Sequence, residues 1–160
     1  MSVAPFVQTP FDVAKKMLDM SQIKSNEVLY DLGCGDGRLI ILAAKDTGAK
    51  TTGIELREDL IERARIEVER LNLEDRVTII QGDLFDVPIS EADVVTLFLT
   101  PSANDRLRPK LEAELKPDAR VISHDFEIPG WKPSAIHVHD FGVPGWKPAA
   151  IYAYHIGEQT

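Results

Sequence analysis

Val28-Leu29-Tyr30-Asp31-Leu32 runs directly into Gly33-Cys34-Gly35-Asp36-Gly37, and an amphipathic stretch begins at Arg38. A buried strand that passes through a glycine turn into a helix limits the folds open to the chain. The helix must pack back on the strand and lead to a parallel neighbour. The glycines permit the tight turn and let a ligand approach the backbone at the C-terminal edge of a sheet. The remaining pattern keeps to that frame, with further strands expected at Thr51–Glu55, Val77–Gln81, Ala92–Leu99, Arg120–His124, Ala135–His139 and Ala149–His155.

Between them lie helical periods. One follows Pro10, with Val13, Met17 and Leu18 on one face, and another spans Arg38–Lys45, ending near Gly48. The clearest is Glu58–Leu71, where Leu60, Ile61, Ala64, Val68 and Leu71 share a face. A fourth follows Pro101, with Ser102-x-x-Asp105 as its expected capping box, and continues through Leu107, Leu111 and Leu115, Pro109 disturbing its early turns. No helical period separates the last two strands, so they should form an antiparallel hairpin. The expectation is an α/β, doubly wound, Rossmann-like sheet of seven strands.

The chain has 160 residues, a net charge of −8, 44% hydrophobic and 28% charged residues. That size fits one domain, residues 1–160, and leaves no room for a separate recognition domain. No apolar stretch approaches the roughly twenty residues that span a bilayer. The first ten residues lack a basic start and apolar run, so a cytoplasmic location is expected. The single Cys34 excludes an internal disulfide. The acidic balance argues against phosphate-driven nucleic-acid binding.

The glycine spacing is GxGxG, not the dinucleotide GxGxxG, and Asp31 stands two residues before the first glycine. A carboxylate there would repel a pyrophosphate but can hold an ammonium group. Glu55, ending the second strand, can accept both hydroxyls of a ribose, and Asp83, after the third, can accept from an adenine amine. Each acid alone could be a solvated loop residue or a helix cap. Three at the ends of three successive strands behind a glycine loop point to one ligand site.

On Asp31-Leu32-Gly33-Cys34-Gly35-Asp36-Gly37, Glu55, Gly82-Asp83 and Leu115-Lys116-Pro117, the sequence resembles the class I, seven-strand S-adenosylmethionine-dependent methyltransferases. More narrowly it resembles the small archaeal protein-lysine methyltransferases of broad specificity and their relatives. That likeness rests on Phe6-Val7-Gln8-Thr9-Pro10, Tyr30–Arg38, Val95-Thr96-Leu97-Phe98-Leu99 and Ser123-His124-Asp125-Phe126-Glu127-Ile128. The resemblance implies strand order 3-2-1-4-5-7-6 and S-adenosylmethionine as cofactor. It implies cofactor contacts from Phe6, Thr9, Asp31, Gly33, Cys34, Gly35, Gly37, Glu55, Leu56, Asp83 and Leu84. Residues 1–25 would form a cofactor-covering segment and helix, and 26–160 the core. The expected substrates are proteins with exposed lysines, acted on by a monomer.

The fourth strand is followed by Leu99-Thr100-Pro101-Ser102 in place of the Asn/Asp-Pro-Pro-Tyr/Phe typical of enzymes that methylate adenine amines or glutamine amides. Phe98, Leu99, Thr100 and Phe126, at the ends of strands four and five, are the expected walls of an apolar lysine channel. No firm general base is assigned, though His124 and Glu127 are candidates. No metal site is expected, since His137-x-His139 lacks a nearby third ligand. Two readings compete: methylation of a small molecule or RNA base with the same cofactor, and a nucleotide-binding module without catalysis. Asp125–Pro133 recurs as Asp140–Pro148, with Pro-Gly-Trp-Lys-Pro in both copies, and the second copy stands outside the family pattern. The Trp rings are expected to cover a sheet edge, the alternative being an aromatic-rimmed groove for a substrate. The first copy also stands where a helix usually follows the fifth strand.

Overall fold

The computed structural model describes residues 8–160. Seven strands, β1 (Val28–Leu32), β2 (Lys50–Glu55), β3 (Val77–Gln81), β4 (Val94–Leu97), β5 (Arg120–His124), β6 (Ala135–His139) and β7 (Ala149–His155), form one sheet. Their order is β3-β2-β1-β4-β5-β7-β6. β7 runs antiparallel to β5 and to β6, and the other pairings are parallel. Among the described residues four helices cover the sheet: α1 (Phe11–Ser21), α2 (Arg38–Thr47), α3 (Glu58–Arg70) and α4 (Pro101–Glu114).

Alternation along the strands sorts the core into two layers. Leu29 of β1 joins Val13, Met17, Ile40 and Val68 from α1, α2 and α3. Tyr30 and Leu32 turn the other way, toward Leu107 and Leu111 of α4 and the segment bearing Leu84, Ile89 and Ala92. Central strands buried on both faces read as continuous apolar runs, which is why β1 and β4 are legible without alternation.

Three local features differ from the sequence reading. β4 is shorter than Ala92–Leu99. Ala92 N–H turns back to the Ile89 carbonyl at 3.0 Å, and pairing to both neighbours ends at Leu97. The cap of α4 is Thr100, not Ser102: Thr100 Oγ1 accepts from Ala103 N–H at 3.1 Å. Pro101 has no N–H to satisfy and its fixed φ suits the first helical position, so the cap falls one residue before it. Pro109 lies inside α4, which continues to Glu114.

The two Trp loops part company. Trp131 is buried among Leu107, Leu111 and Tyr154, packs edge-on against the Tyr154 ring at 5.5 Å and donates from Nε1 to Glu112 at 3.3 Å. It is core on the α4 side rather than edge cover. Trp146, in the connection between β6 and β7, is 63% exposed and packs edge-to-face with the Phe141 ring at 5.7 Å. The repeat is one of sequence. The first copy lies over the sheet, where no helix intervenes between β5 and β6, and the second lies beyond the strand ends.

Candidate active site

The loop after β1 is drawn tight by its backbone. Gly33 and Cys34 N–H groups both donate to the Ile54 carbonyl at 2.9 Å, and Gly37 N–H returns to Cys34 O at 2.9 Å. Gly33, Gly35 and Gly37 all have positive φ, which side chains rarely tolerate. Gly37 also has α3 at its back, since a Cβ there would lie 2.9 Å from Ala64 Cβ. The Cys34 thiol is buried in the core beside Gly53, where a Cβ would come within 2.5 Å of Sγ. Burial pushes that thiol's pKa well up. Of Cys34, the backbone is the part that can serve a ligand. Gly53, which sequence reasoning passed over, is what makes room for the loop.

The three acids rise in steps across adjacent strands. Asp31 lies opposite Gly53, Glu55 stands two residues further along β2, Gln81 lies opposite Glu55, and Asp83 is two residues beyond that. Gly82 N–H donates to Glu55 O at 3.0 Å, which carries the ladder one residue past β3. Strand spacing and rise make each step about 8 Å on the diagonal. Such a staircase suits an elongated ligand with different chemistry at each landing.

Asp31, at the inner landing, is buried and accepts from the Thr96 hydroxyl at 2.9 Å. Desolvation, with a smaller push from the Glu55 charge, raises its pKa to about 7 against the lowering effect of Thr96. Among the described residues no cationic side chain pairs with it, so its charge is disfavoured until an ammonium group arrives to compensate it. Glu55 Oε1 accepts from Gly35 N–H at 2.9 Å, and Oε2 from Leu56 and Arg57 N–H at 3.0 and 3.1 Å. Asp83 Oδ1 accepts from Phe85 N–H at 2.9 Å, shaping the turn after β3. Leu84 is buried, and with Leu99 it flanks Gly33.

Beyond β4 and β5 the walls are apolar. Phe98 stacks on the buried His124 ring at 3.8 Å, Leu99 is buried, and Phe126 is half-buried. The Thr100 hydroxyl is committed to capping α4. His124 Nδ1 lies 3.3 Å from Thr9 Oγ1 and Nε2 lies 3.7 Å from Asp125. Desolvation holds its pKa below the usual imidazole value despite the nearby Asp125 carboxylate. Thr9 O also accepts from Arg38 at 3.3 Å, so the chain before α1 bridges the glycine-loop helix and the end of β5. Phe6 lies outside the described residues. Glu127 is exposed.

Asn104 was not anticipated. It is fully buried on α4, and its amide donates to Ser123 Oγ, Phe126 O and Glu127 O at 3.4, 3.2 and 3.1 Å, pinning the loop that carries Phe126. Among the described residues its Oδ1 has no hydrogen-bond partner. The signal was available, because Asn104 shares the i, i+3, i+7 face with Leu107 and Leu111. Among the described residues no group of three His, Cys, Asp or Glu side chains could hold a metal, and no helix is long and apolar enough to cross a membrane.

A seven-stranded sheet in this order, a glycine loop after β1 and an unpaired buried acid with two more at the next strand ends define a class I S-adenosylmethionine-dependent methyltransferase. Residues 31–135 match the ANTKMT methyltransferase domain, and the chain belongs to that family. It is 47% identical over 133 residues to a protein-lysine N-methyltransferase of Saccharolobus islandicus, covering 82% of this chain and 83% of that protein. It is 39% identical over 109 residues to the adenine nucleotide translocase lysine N-methyltransferase of Mus musculus, covering 68% of this chain but 47% of the mouse protein. A crystal structure described as an RNA methyltransferase from Salinibacter ruber, in complex with S-adenosyl-L-homocysteine, superposes with a TM-score of 0.86 at 42% identity and covers 96% of both chains.

Proposed function

We propose that the chain methylates lysine side chains of proteins. The observation that carries this reading is the 47% identity to the Saccharolobus protein-lysine N-methyltransferase along most of both chains. The apolar walls at the ends of β4 and β5 support it. S-adenosylmethionine supplies an activated methyl group, so the protein's task is positioning and electrostatics. Asp31 would take the amino group, Glu55 the ribose hydroxyls, and Asp83, with Leu56 and Leu84, the adenine end. The backbone of Gly33, Cys34, Gly35 and Gly37 would line the ligand, with Thr9 on its open side.

A lysine ammonium has no lone pair and must lose a proton before attack; free lysine titrates near 10.4. Phe98, Leu99 and Phe126 would exclude water around the chain's amine, which favours the neutral form. His124, kept neutral by burial, adds no positive charge beside it. Thr100 would contribute through its place at the mouth, its hydroxyl being occupied. The same reading treats residues 1–160 as one catalytic unit, with 1–25 covering the cofactor, acting as a monomer. A reducing, cytoplasmic setting suits the free thiol of Cys34.

The Salinibacter structure gives a second reading, methylation of RNA. Incubation with methyl-labelled cofactor and a lysate, split into protease-treated and ribonuclease-treated halves, separates the two. Label lost to protease and located on lysine by mass spectrometry is expected. Label lost to ribonuclease alone would overturn the protein reading. Glu55→Ala, which should abolish cofactor binding by calorimetry, serves as the blank.

A further inference from the structure

A second groove, of about 560 Å³, runs between α2 and α3 on the side of the sheet that carries α1. Two helical stripes of the same make-up face each other across it. On α2 the stripe is Arg38, Ile41-Leu42, Lys45, and on α3 it is Arg63, Ile66, Arg70, each spaced i, i+3 or i+4, i+7. Both therefore read cation, aliphatic, cation. Ile66 is 56% exposed, and at the upper end so is Phe11, at 59%.

The charge of the groove opposes that of the protein. Four cations line it against two carboxylates, in a chain whose net charge is −8. Asp36 is shared by Arg38 at 3.0 Å and Arg63 at 3.9 Å, and Glu67 pairs with Arg70. Among the described residues Lys45 has no carboxylate within 4 Å, although its charge is felt by Glu67. Two positive charges are left over, at the rims of an aliphatic floor.

We propose that this groove binds an acidic protein segment carrying one large apolar side chain between carboxylates. The apolar residue would sit on Ile41, Leu42 and Ile66, and the carboxylates would reach the cations at either end. On each helix those cations are seven residues apart, about 10 Å along the axis. That separation matches carboxylates about three residues apart in an extended segment. The floor selects peptide over nucleic acid. Bases need aromatic faces to stack on, and the one ring here, Phe11, already has the Arg38 guanidinium 5.0 Å from its centroid.

The groove starts at the glycine loop and leads away from the ends of β4 and β5, so it can hold one part of a protein while a lysine from another part is presented. That use rests on the protein-substrate reading; the binding itself does not. The test is fluorescence anisotropy of a labelled peptide with a central Leu-Phe pair between Glu-Asp runs, titrated with the full chain. Saturable binding is expected, weakened by salt and by about tenfold or more in Lys45→Glu, Arg70→Glu and Ile66→Asp. Lys45→Gln should lose less than Lys45→Glu. Unchanged cofactor affinity by calorimetry certifies that each variant is folded. The proposal is overturned if the wild type shows no saturable binding, or if the reversals bind within twofold of it. It is also overturned if an RNA oligonucleotide displaces the peptide as well as unlabelled peptide does, which would assign the groove to nucleic acid. Failure of lysate-protein methylation with peptide binding intact would remove the proposed function and leave this site standing.

Discussion

Replacing Asp31 by Asn should stabilise the cofactor-free protein while destroying its use. Asp31 has a pKa of about 7 in the folded chain, above the ordinary carboxylate value, because burial disfavours its charge. The folded state therefore holds a proton that the unfolded state has released, and stability falls as pH rises between the two pKa values. With an unfolded pKa of about 3.9, the linkage relation gives a cost of about 1.5 kcal/mol at pH 5 and about 4 kcal/mol at pH 8, where it levels off. Asn is similar in shape, keeps an acceptor for the Thr96 hydroxyl and has no proton to lose. Urea unfolding of wild type and Asp31→Asn at pH 5 and pH 8 should show the variant's advantage growing by about 2.5 kcal/mol between them. Calorimetry at pH 8 should find its cofactor affinity gone. A stability difference independent of pH, or a variant less stable at pH 8, would refute the reasoning. It would mean that Asp31 is ionised in the folded chain and already compensated.

Other outcomes follow from the packing. Asn104→Ala removes the one amide group that holds Ser123 and the Phe126 and Glu127 carbonyls, so it should lose about 2 kcal/mol of stability in urea unfolding and turnover should fall more than cofactor affinity. Trp131→Ala should cost about 3–5 kcal/mol in the same measurement, and Trp146→Ala less than about 0.5 kcal/mol, although the two sit in matching sequence. Gly53→Ala drives a methyl into Cys34 and Ile40 and should cost about 1–3 kcal/mol, with weakened cofactor binding because the displaced element is the glycine loop. Thr100→Ala should cost about 1 kcal/mol and Ser102→Ala far less, which locates the cap of α4.

Much of this was legible in the sequence because the relevant signals are local. β1, the glycine loop and α2 are continuous in the chain, and the hairpin of β6 and β7 is marked by the absence of a helical period between them. Asp31, Glu55 and Asp83 could be read as a set because parallel strands put their C-terminal ends at one edge of the sheet. The illegible parts depend on partners distant in sequence. Nothing near Gly53 announces that Cys34 will sit against it, and nothing near Trp131 distinguishes it from Trp146 except that α4 lies opposite. Ser102 is by type the better cap than Thr100, and Pro101 between them decides the matter for Thr100. Asn104 was legible but unread, as a polar residue on an apolar stripe.

The direct passage from β5 to β6 bears on what this chain can become. Residues 125–134 make the crossing without a helix, leaving Ile136 and Val138 more than half exposed on an edge strand, on the face shared with Tyr152. The passage cannot be shortened, because Ile128 and Trp131 are built into the core. It can be lengthened: an inserted helix would find an apolar floor already laid and would gain burial from its first turn. β3 and β6 are both edge strands, and it is β6 that carries two large exposed aliphatic side chains. An addition to this passage would stand next to the apolar walls at the end of β5, where the proposed lysine channel opens.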